Sequence, residues 1–497
     1  MVEAGKNVAI VMTTGFTDNV RAFSMWESAQ QASVSTLAQF RKRLLRRFEA
    51  GRKERSMVAS RVRLPARLPG LTVIALCISA LATGPAGAGG LIAYEVGTAD
   101  VGLASAGYNA RAQDASTVFT NPAGMTRLEG NQFLGSGQLD YGWTKFSIGP
   151  GTSAALGTED GGNAFGSDGW FLGGGAFFSY SVSPELKVGF AFTGNTGAAL
   201  NYDSGWVGRY YVQETTLVGL SLLPAIAYKV TDKLSLGASL NAMYGIYKQQ
   251  VAVNNVLGPD GQLKLNNDTW GFGFNLGALY EFTPGTRVGL TYNSQVDLNF
   301  KAPFQFSGLS PGLSTLLANR GLLNATLDLG IKIPQQVMGS VFFQLDDRWA
   351  LLGSLGWQQW SQFGQVQIGI NDSTNPTSLT TNLDFKDTWH LAAGAQYRIS
   401  EPWLLNFGIA YDSGYQSSSN VSPLLPSNAA WRFGVGGEHR VSKTFFWGVA
   451  VEYLYGGTLD TNITSTLPVA LGGRGNLVGS YNTTGVLFTA VYLNWTF

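Results

Sequence analysis

The sequence predicts a large closed antiparallel β-barrel of the outer-membrane type, on three observations. Of its 497 residues only 13% are charged, while 12% are aromatic and 64 are glycine. No run of about 20 apolar residues, the length of a helical span, accompanies that composition. Short polar turns alternate with long irregular segments along the chain, and the last residues alternate apolar with small or polar and end on Phe497.

The turns come first because they set the strand count. Past residue 170 six of them share one chemistry: Ser183-Pro184-Glu185, Thr231-Asp232-Lys233, Thr283-Pro284-Gly285, Asp346-Asp347-Arg348, Ser400-Glu401-Pro402 and Ser442-Lys443-Thr444. Between them lie longer stretches rich in Gly, Asn, Ser and Pro, such as Val256 to Asp268, Pro303 to Asn324 and Asn371 to Asn382. Short turns on one side and long loops on the other are the pattern of outer-membrane barrels. Six turns joining seven hairpins predict 14 strands.

Within the strands the period is two. Leu234, Leu236, Ala238, Leu240 and Ala242 alternate with Ser235, Gly237, Ser239, Asn241 and Met243, and Phe272, Phe274 and Leu276 alternate with Gly271, Gly273 and Asn275. Apolar side chains are expected to face lipid and small or polar ones the lumen. A soluble sandwich would gather its apolar faces into a shared core and avoid such wide aromatic surfaces. At the C-terminus Thr489, Val491, Leu493, Trp495 and Phe497 share one face, a strand resembling the signal read by the outer-membrane assembly machinery. The barrel closes if this strand pairs with the first.

Composition excludes several function classes. A chain with 13 Trp, 19 Tyr and 29 Phe is not disordered. Residues 57–88 read as a signal peptide, with Arg61, Arg63 and Arg67 before the apolar run Leu71 to Leu81 and Ala86-Gly87-Ala88 as the cleavage triplet. Residues 1–56 read as a non-native upstream extension, or as a disordered segment, ahead of a natural start at Met57. Cleavage would remove Cys77 and leave no thiol, so thiolate metal sites and disulfides are not expected. It would also leave 20 basic and 27 acidic residues, a net charge of −7, which argues against nucleic-acid binding. No cofactor and no metal are expected. For an enzyme such as an outer-membrane phospholipase the candidate general bases are His390 and His439, neither in a catalytic motif.

Ahead of the first strand, near Phe133, residues 89–131 do not alternate and are too few to fold alone. Helical hints at Ala104 to Asp114 and Ala123 to Leu128 need a wall to bury them, so the segment is expected inside the lumen as a hatch, with the barrel at 132–497. Through Gly107-Tyr108-Asn109-Ala110, Asp114 to Ala123, Trp270 to Asn275, Trp360-Ser361-Gln362-Phe363 and Phe385-Lys386-Asp387, the chain resembles the FadL/TodX family of outer-membrane transporters for fatty acids and aromatic hydrocarbons. The hatch motif Asn121-Pro122-Ala123 carries most of that weight.

The resemblance implies a barrel of 14 strands in the bacterial outer membrane, plugged by the hatch, with a hydrophobic ligand inside and lateral exit beside a kinked third strand. On this chain the third strand starts at Leu186, and Gly194-Asn195-Thr196-Gly197 interrupts its alternation where a kink is tolerated. An ordinary strand end is the plainer reading of the same residues. The expected cargo is a long-chain fatty acid, with an aromatic hydrocarbon as the alternative. The expected surroundings are outer-membrane lipid and lipopolysaccharide, around a monomer. By strand parity Arg432, Glu438 and Arg440 point inward, and Arg432 is the first candidate partner for a ligand carboxylate, weighed against an internal ionic brace. Arg209 and Lys248 are weaker candidates. A general porin for polar solutes is the rival within the fold, and it would lack a hatch. The third extracellular loop, Val253 to Asp268, is shorter than the family leads one to expect.

Overall fold

The computed structural model describes residues 94–497, apart from 168, 372–376 and 418. The expected upstream extension at 1–56 and the signal peptide at 57–88 lie outside these residues, as does the start of the hatch segment. The described chain opens with α1 (Ala99–Leu103), α2 (Thr117–Thr120) and a 3-10 turn at Pro122–Arg127. Strands β1 (Gln132–Ile148), β2 (Trp170–Ser181), β3 (Leu186–Asn201), β4 (Glu214–Lys229), β5 (Leu234–Val253), β6 (Gly261–Thr283) and β7 (Thr286–Asn293) follow. Next come β8 (Val296–Pro303), β9 (Gln305–Ser307), α3 (Pro311–Asn319), β10 (Thr326–Ile333), β11 (Gln336–Gln344), β12 (Trp349–Gln358) and α4 (Trp360–Phe363). The chain ends through β13 (Gln365–Asn371), β14 (Thr377–Asn382), β15 (Thr388–Ser400), β16 (Trp403–Asp412), β17 (Ala430–Ser442), β18 (Phe445–Ile463) and β19 (Leu477–Thr496).

Fourteen of these strands make a closed antiparallel wall in the order β1 to β7, β11, β12, β15 to β19 and back to β1. The seam runs from Gln132↔Thr496 to Ile148↔Gly479, and just below it Asn131 and Phe497 exchange backbone bonds at 3.1 and 2.9 Å. Each polar turn closes its hairpin where expected. Ser183 Oγ accepts from the amides of Glu185 and Leu186, Thr231 Oγ1 from Lys233 and Leu234, and Asp346 Oδ1 from Arg348 and Trp349. Those side-chain acceptors stand in for backbone partners that a tight turn lacks.

Alternation sorts the two faces. Leu240 and Phe272 are 66% and 72% exposed while Ser239 and Asn275 are buried. Aromatic pairs ring the wall at two heights: Trp349 with Tyr397 and Trp403 with Trp447 near the turns, Tyr141 with Trp170 and Tyr244 with Trp270 near the loops. On β18 the rings at Trp447 and Tyr455 are eight residues apart. At a strand rise of about 3.4 Å and a tilt of about 40° that is about 21 Å, close to the apolar band of an outer-membrane barrel.

Three expectations change, one of them at Asn371 to Asn382, where Thr377–Asn382 is strand β14 and not loop. The loop expected at Val256 to Asp268 is mostly strand, because β5 and β6 pair out to Val253↔Gly261, so the connection is shorter still. Pro303 to Asn324 is not irregular either, since it contains β9 and α3, whose Ser310 cap accepts from Leu313 N and whose Pro311 sits at the first helical position. Together β8, β10, β13 and β14 form a second, four-stranded sheet at the loop end.

Candidate functional site in the lumen

The hatch runs along the inside of the wall. α1 stops early because Ala104 and Ser105 are left-handed, at φ 45° and 62°, so the expected helix from Ala104 to Asp114 is a series of turns. Those turns let the backbone follow glycines of the wall. A Cβ at Gly408 would overlap Leu103, one at Gly434 the carbonyl of Val101, and one at Gly289 the carbonyl of Asn109. These glycines on the inner face of the wall are therefore a seat into which a backbone fits.

Asn121-Pro122-Ala123 sits in that seat. Asn121 Oδ1 accepts from Ala123 N at 3.1 Å, capping the 3-10 turn that Pro122 starts. Its Nδ2 donates to Asn109 O at 2.8 Å within the hatch and to Ala278 O at 3.1 Å on β6. Gly237 and Gly277 lie so close behind that any side chain there would strike Ala123 or Asn121. One residue thus ties two arms of the hatch to the wall, and each donor is buried where an unpaired amide is costly.

The hatch also carries buried charge. Arg111 bridges Asp100 at 3.3 Å and Asp114 at 2.6 Å. Burial works against the charge on Asp114, but Arg111 and the bonds from Ser116 outweigh it and hold that carboxyl below its ordinary range. At Asp100 burial wins over Arg111 and pushes the carboxyl up. On the wall, Arg287 donates from Nε to Ala110 O at 2.6 Å and also from Nη2 to Arg111 O.

Arg432 points inward and is buried, and the structure brings it to three carboxylates. Its Nε donates to Asp412 at 2.5 Å, and its Nη1 meets Glu95 of the hatch at 2.8 Å and Glu452 at 3.1 Å. Asp412 is held in turn by His390 Nδ1 at 2.7 Å, so His390 is a buried member of this network rather than the partly exposed strand-end residue its sequence position suggests. Glu438 shares the lumen face and is bonded by Asn406 Nδ2 at 3.1 Å, whereas Arg440 is exposed. Arg209 is not simply a solvated charge: its Nε pairs with Asp260 at 2.7 Å and its Nη1 reaches Leu156 O. Glu95 was missed from sequence because nothing in a segment without alternation marks an acid.

At Gly194-Asn195-Thr196-Gly197 the wall is irregular. β3 pairs with β4 through Gly194↔Leu220 and resumes at Thr196↔Gly219, which leaves Asn195 as an extra residue, a bulge. On the other side β3 pairs with β2 only from Lys187↔Ser181 to Thr193↔Gly175. Gly174, at φ 131°, turns β2 away there, and Trp170 to Gly174 pair with β1 alone. Next to this stretch, where β2 and β3 are still paired, the hatch packs on the wall, with Phe119 6.4 Å from Phe177 and Met125 against Gly189.

Above the hatch the interior is apolar. Val296, Leu298 and Phe300 of β8 turn one face onto β5 and β6, where Gly245 and Gly271 leave room for them, and Leu327, Leu329 and Ile331 of the neighbouring β10 join the same apolar cluster. Trp360 of α4 is fully buried in the same cluster, stacked on Tyr415 at 4.9 Å and edge-on to Phe363 at 5.1 Å. The signal was present in the alternation of 296–302 and 327–333, interrupted at Ser294-Gln295 and Pro334-Gln335.

A closed wall with two aromatic girdles, a hatch seated on its inner glycines and an apolar interior above define an outer-membrane barrel transporter with a plugged lumen. The chain belongs to the outer membrane protein transport protein family (OMPP1/FadL/TodX), whose model matches residues 79–497. It is 30% identical over 384 residues to a 47 kDa outer membrane protein of Pasteurella multocida, covering 70% of this chain and 83% of that one. It is 26% identical over 370 residues to a long-chain fatty acid transport protein of Escherichia coli, covering 69% and 81%. Among solved structures, a Pseudomonas aeruginosa FadL homologue superposes with a TM-score of 0.72 at 22% identity, over 82% of this chain and all of that one (100%). The Pseudomonas putida toluene transporter TodX gives 0.61 at 16%, over 82% and 99%. The protein is thus an outer-membrane transporter of hydrophobic compounds of the FadL/TodX type and not an enzyme.

Proposed function

We propose that this chain takes up long-chain fatty acids, which bind in the apolar interior around Phe300 and Trp360, shift the hatch and leave sideways between β2 and β3 into the membrane. The observation that carries the reading is the wall itself, where Trp170 to Gly174 and Gly194 to Asn201 have no strand pairing with each other. Sideways exit suits an acyl chain, because each CH₂ exposed to water costs about 0.8 kcal/mol. The fatty-acid name of the Escherichia coli relative supports the same cargo. Asn121-Pro122-Ala123 serves as the hatch motif, Gly194 to Gly197 form the edge of the opening, and the strand ending at Phe497 is the element read by the assembly machinery.

A second reading, uptake of aromatic hydrocarbons, is favoured by the rings of Trp360, Phe363, Phe385 and Tyr415 and by the toluene transporter named above. Uptake of labelled oleate and labelled toluene into cells lacking their own transporter separates the two. Deleting Asn195 removes the bulge and lets β3 run straight. Oleate uptake is expected to fall severalfold in that variant while binding to the purified protein persists. Undiminished uptake would rule out exit beside β3.

A further inference from the structure

We propose that Arg432 discriminates among hydrophobic ligands by exchanging carboxylates. A monocarboxylic acid with an apolar tail takes the place of Glu95 on the guanidinium and frees the start of the hatch, and a neutral ligand of the same length does not. The inference rests on the fatty-acid reading above and assigns to Arg432 and Glu95 the choice between ligand classes.

Three carboxylates surround this one guanidinium, and two of them, Glu95 and Glu452, share the single nitrogen Nη1. Asp412 and Glu452 belong to wall strands bonded on both sides, β16 and β18. Glu95 lies ahead of α1, in a segment outside any strand, so it is the member that can leave without breaking the wall. Among the described residues its carboxylate receives, besides Arg432, one bond, from Ser105 Oγ at 3.3 Å, and its Oε2 is buried without a hydrogen-bond partner, as is Glu452 Oε2. Both glutamates are therefore lightly held, and their placement decides between them, since only Glu95 stands outside the wall strands.

A chain of contacts links Arg432 to the apolar interior. Trp360 Nε1 donates to Gln358 Oε1 at 2.7 Å, and Gln358 Nε2 donates to the hydroxyl of Tyr94 at 2.8 Å. The Tyr94 ring lies 4.4 Å from His390 and 5.9 Å from the Arg432 guanidinium carbon. Tyr94 is therefore the partition between the apolar interior and the cation, and it adjoins Glu95 in sequence. A carboxylate head group moving past Trp360 with its tail above meets this partition and then Arg432. Swapping one carboxylate for another keeps the buried cation compensated, whereas a neutral head group offers nothing in exchange for Glu95. A ligand moves the hatch only by its differential affinity for the two states, and this exchange supplies that difference for acids alone.

The test compares oleate with oleyl alcohol on the full chain in detergent, measuring binding by tryptophan fluorescence and hatch opening by amide hydrogen exchange over residues 94–103. Both ligands are expected to bind. Oleate should speed exchange there roughly tenfold or more, the scale of an ordinary coupling between sites, and the alcohol should leave it unchanged. In Glu95→Gln, with the hatch carboxylate neutralised, the two ligands should act alike. In Glu452→Gln, changed only on the wall, the difference between them should persist. If Glu95→Gln does not assemble, the wild-type comparison decides alone. Equal release by both bound ligands, or oleate binding with no change in exchange, overturns the carboxylate exchange and leaves the fatty-acid reading standing. Failure of both ligands to bind overturns both.

Discussion

The lumen is filled twice, by different physics. Toward the short turns the hatch is fixed by directional bonds: Asn121 to two carbonyls, Arg111 between two aspartates and Arg287 on two hatch carbonyls. Toward the long loops the second sheet and α4 fill the space with Leu, Ile and Phe side chains that touch without such bonds, and with Trp360, which keeps one, to Gln358. Charge-assisted hydrogen bonds fix one arrangement, while apolar burial is non-directional and tolerates many. The difference teaches that one half of the lumen is built to hold a position and the other to accept varied shapes, with Arg432 and Tyr94 at the boundary.

Substitutions can break or sharpen that contrast. Arg432→Met should do the most damage, because it leaves Glu95, Asp412 and Glu452 buried without their cation. Breaking a buried pair costs roughly 3–5 kcal/mol, so the urea midpoint of the folded barrel should fall and the hatch amides should lose protection. An unchanged midpoint would mean that the brace contributes nothing. Asn121→Ala removes two donors and a cap, about 1–3 kcal/mol, and should lower oleate uptake with less effect on the wall, readable as faster exchange confined to the hatch. The smallest effect is expected from Phe300→Leu above the boundary, where an apolar exchange costs less than about 1.5 kcal/mol. Its urea midpoint should stay near wild type while oleate binding weakens a few fold. A loss as large as that of Arg432→Met would erase the distinction between the two halves.

What the sequence made legible follows the same division. The wall was readable because lipid on one face and a lumen on the other impose strict alternation, and because Ser, Thr and Asp close the turns by bonds to nearby amides. The inward direction of Arg432 came from parity alone. Its partners did not, since Glu95, Asp412 and Glu452 come from three distant parts of the chain and meet only after closure. Gly237 and Gly277 were visible as small lumen-facing residues, yet nothing local tells a glycine that seats a hatch from one that lines open space. The second sheet was hidden for another reason: β8 follows β7 and β10 precedes β11 across breaks of two residues that leave the alternation running, so each pair looks like one long strand.

The unpaired stretch between β2 and β3 also has a chemistry of its own. Trp170 belongs to the upper aromatic girdle, so Trp170 to Gly174 and the facing residues from Gly194 lie along the upper part of the apolar band. In that surrounding each unsatisfied backbone group costs several kcal/mol. Two of these groups are served from elsewhere, Gly174 O by Thr193 Oγ1 and Asn201 N by Ala164 O. On the exit route proposed above, the rest would make a polar sill in an oily wall, along which an amphiphile would pass its head group from one backbone group to the next while its tail slides into the bilayer.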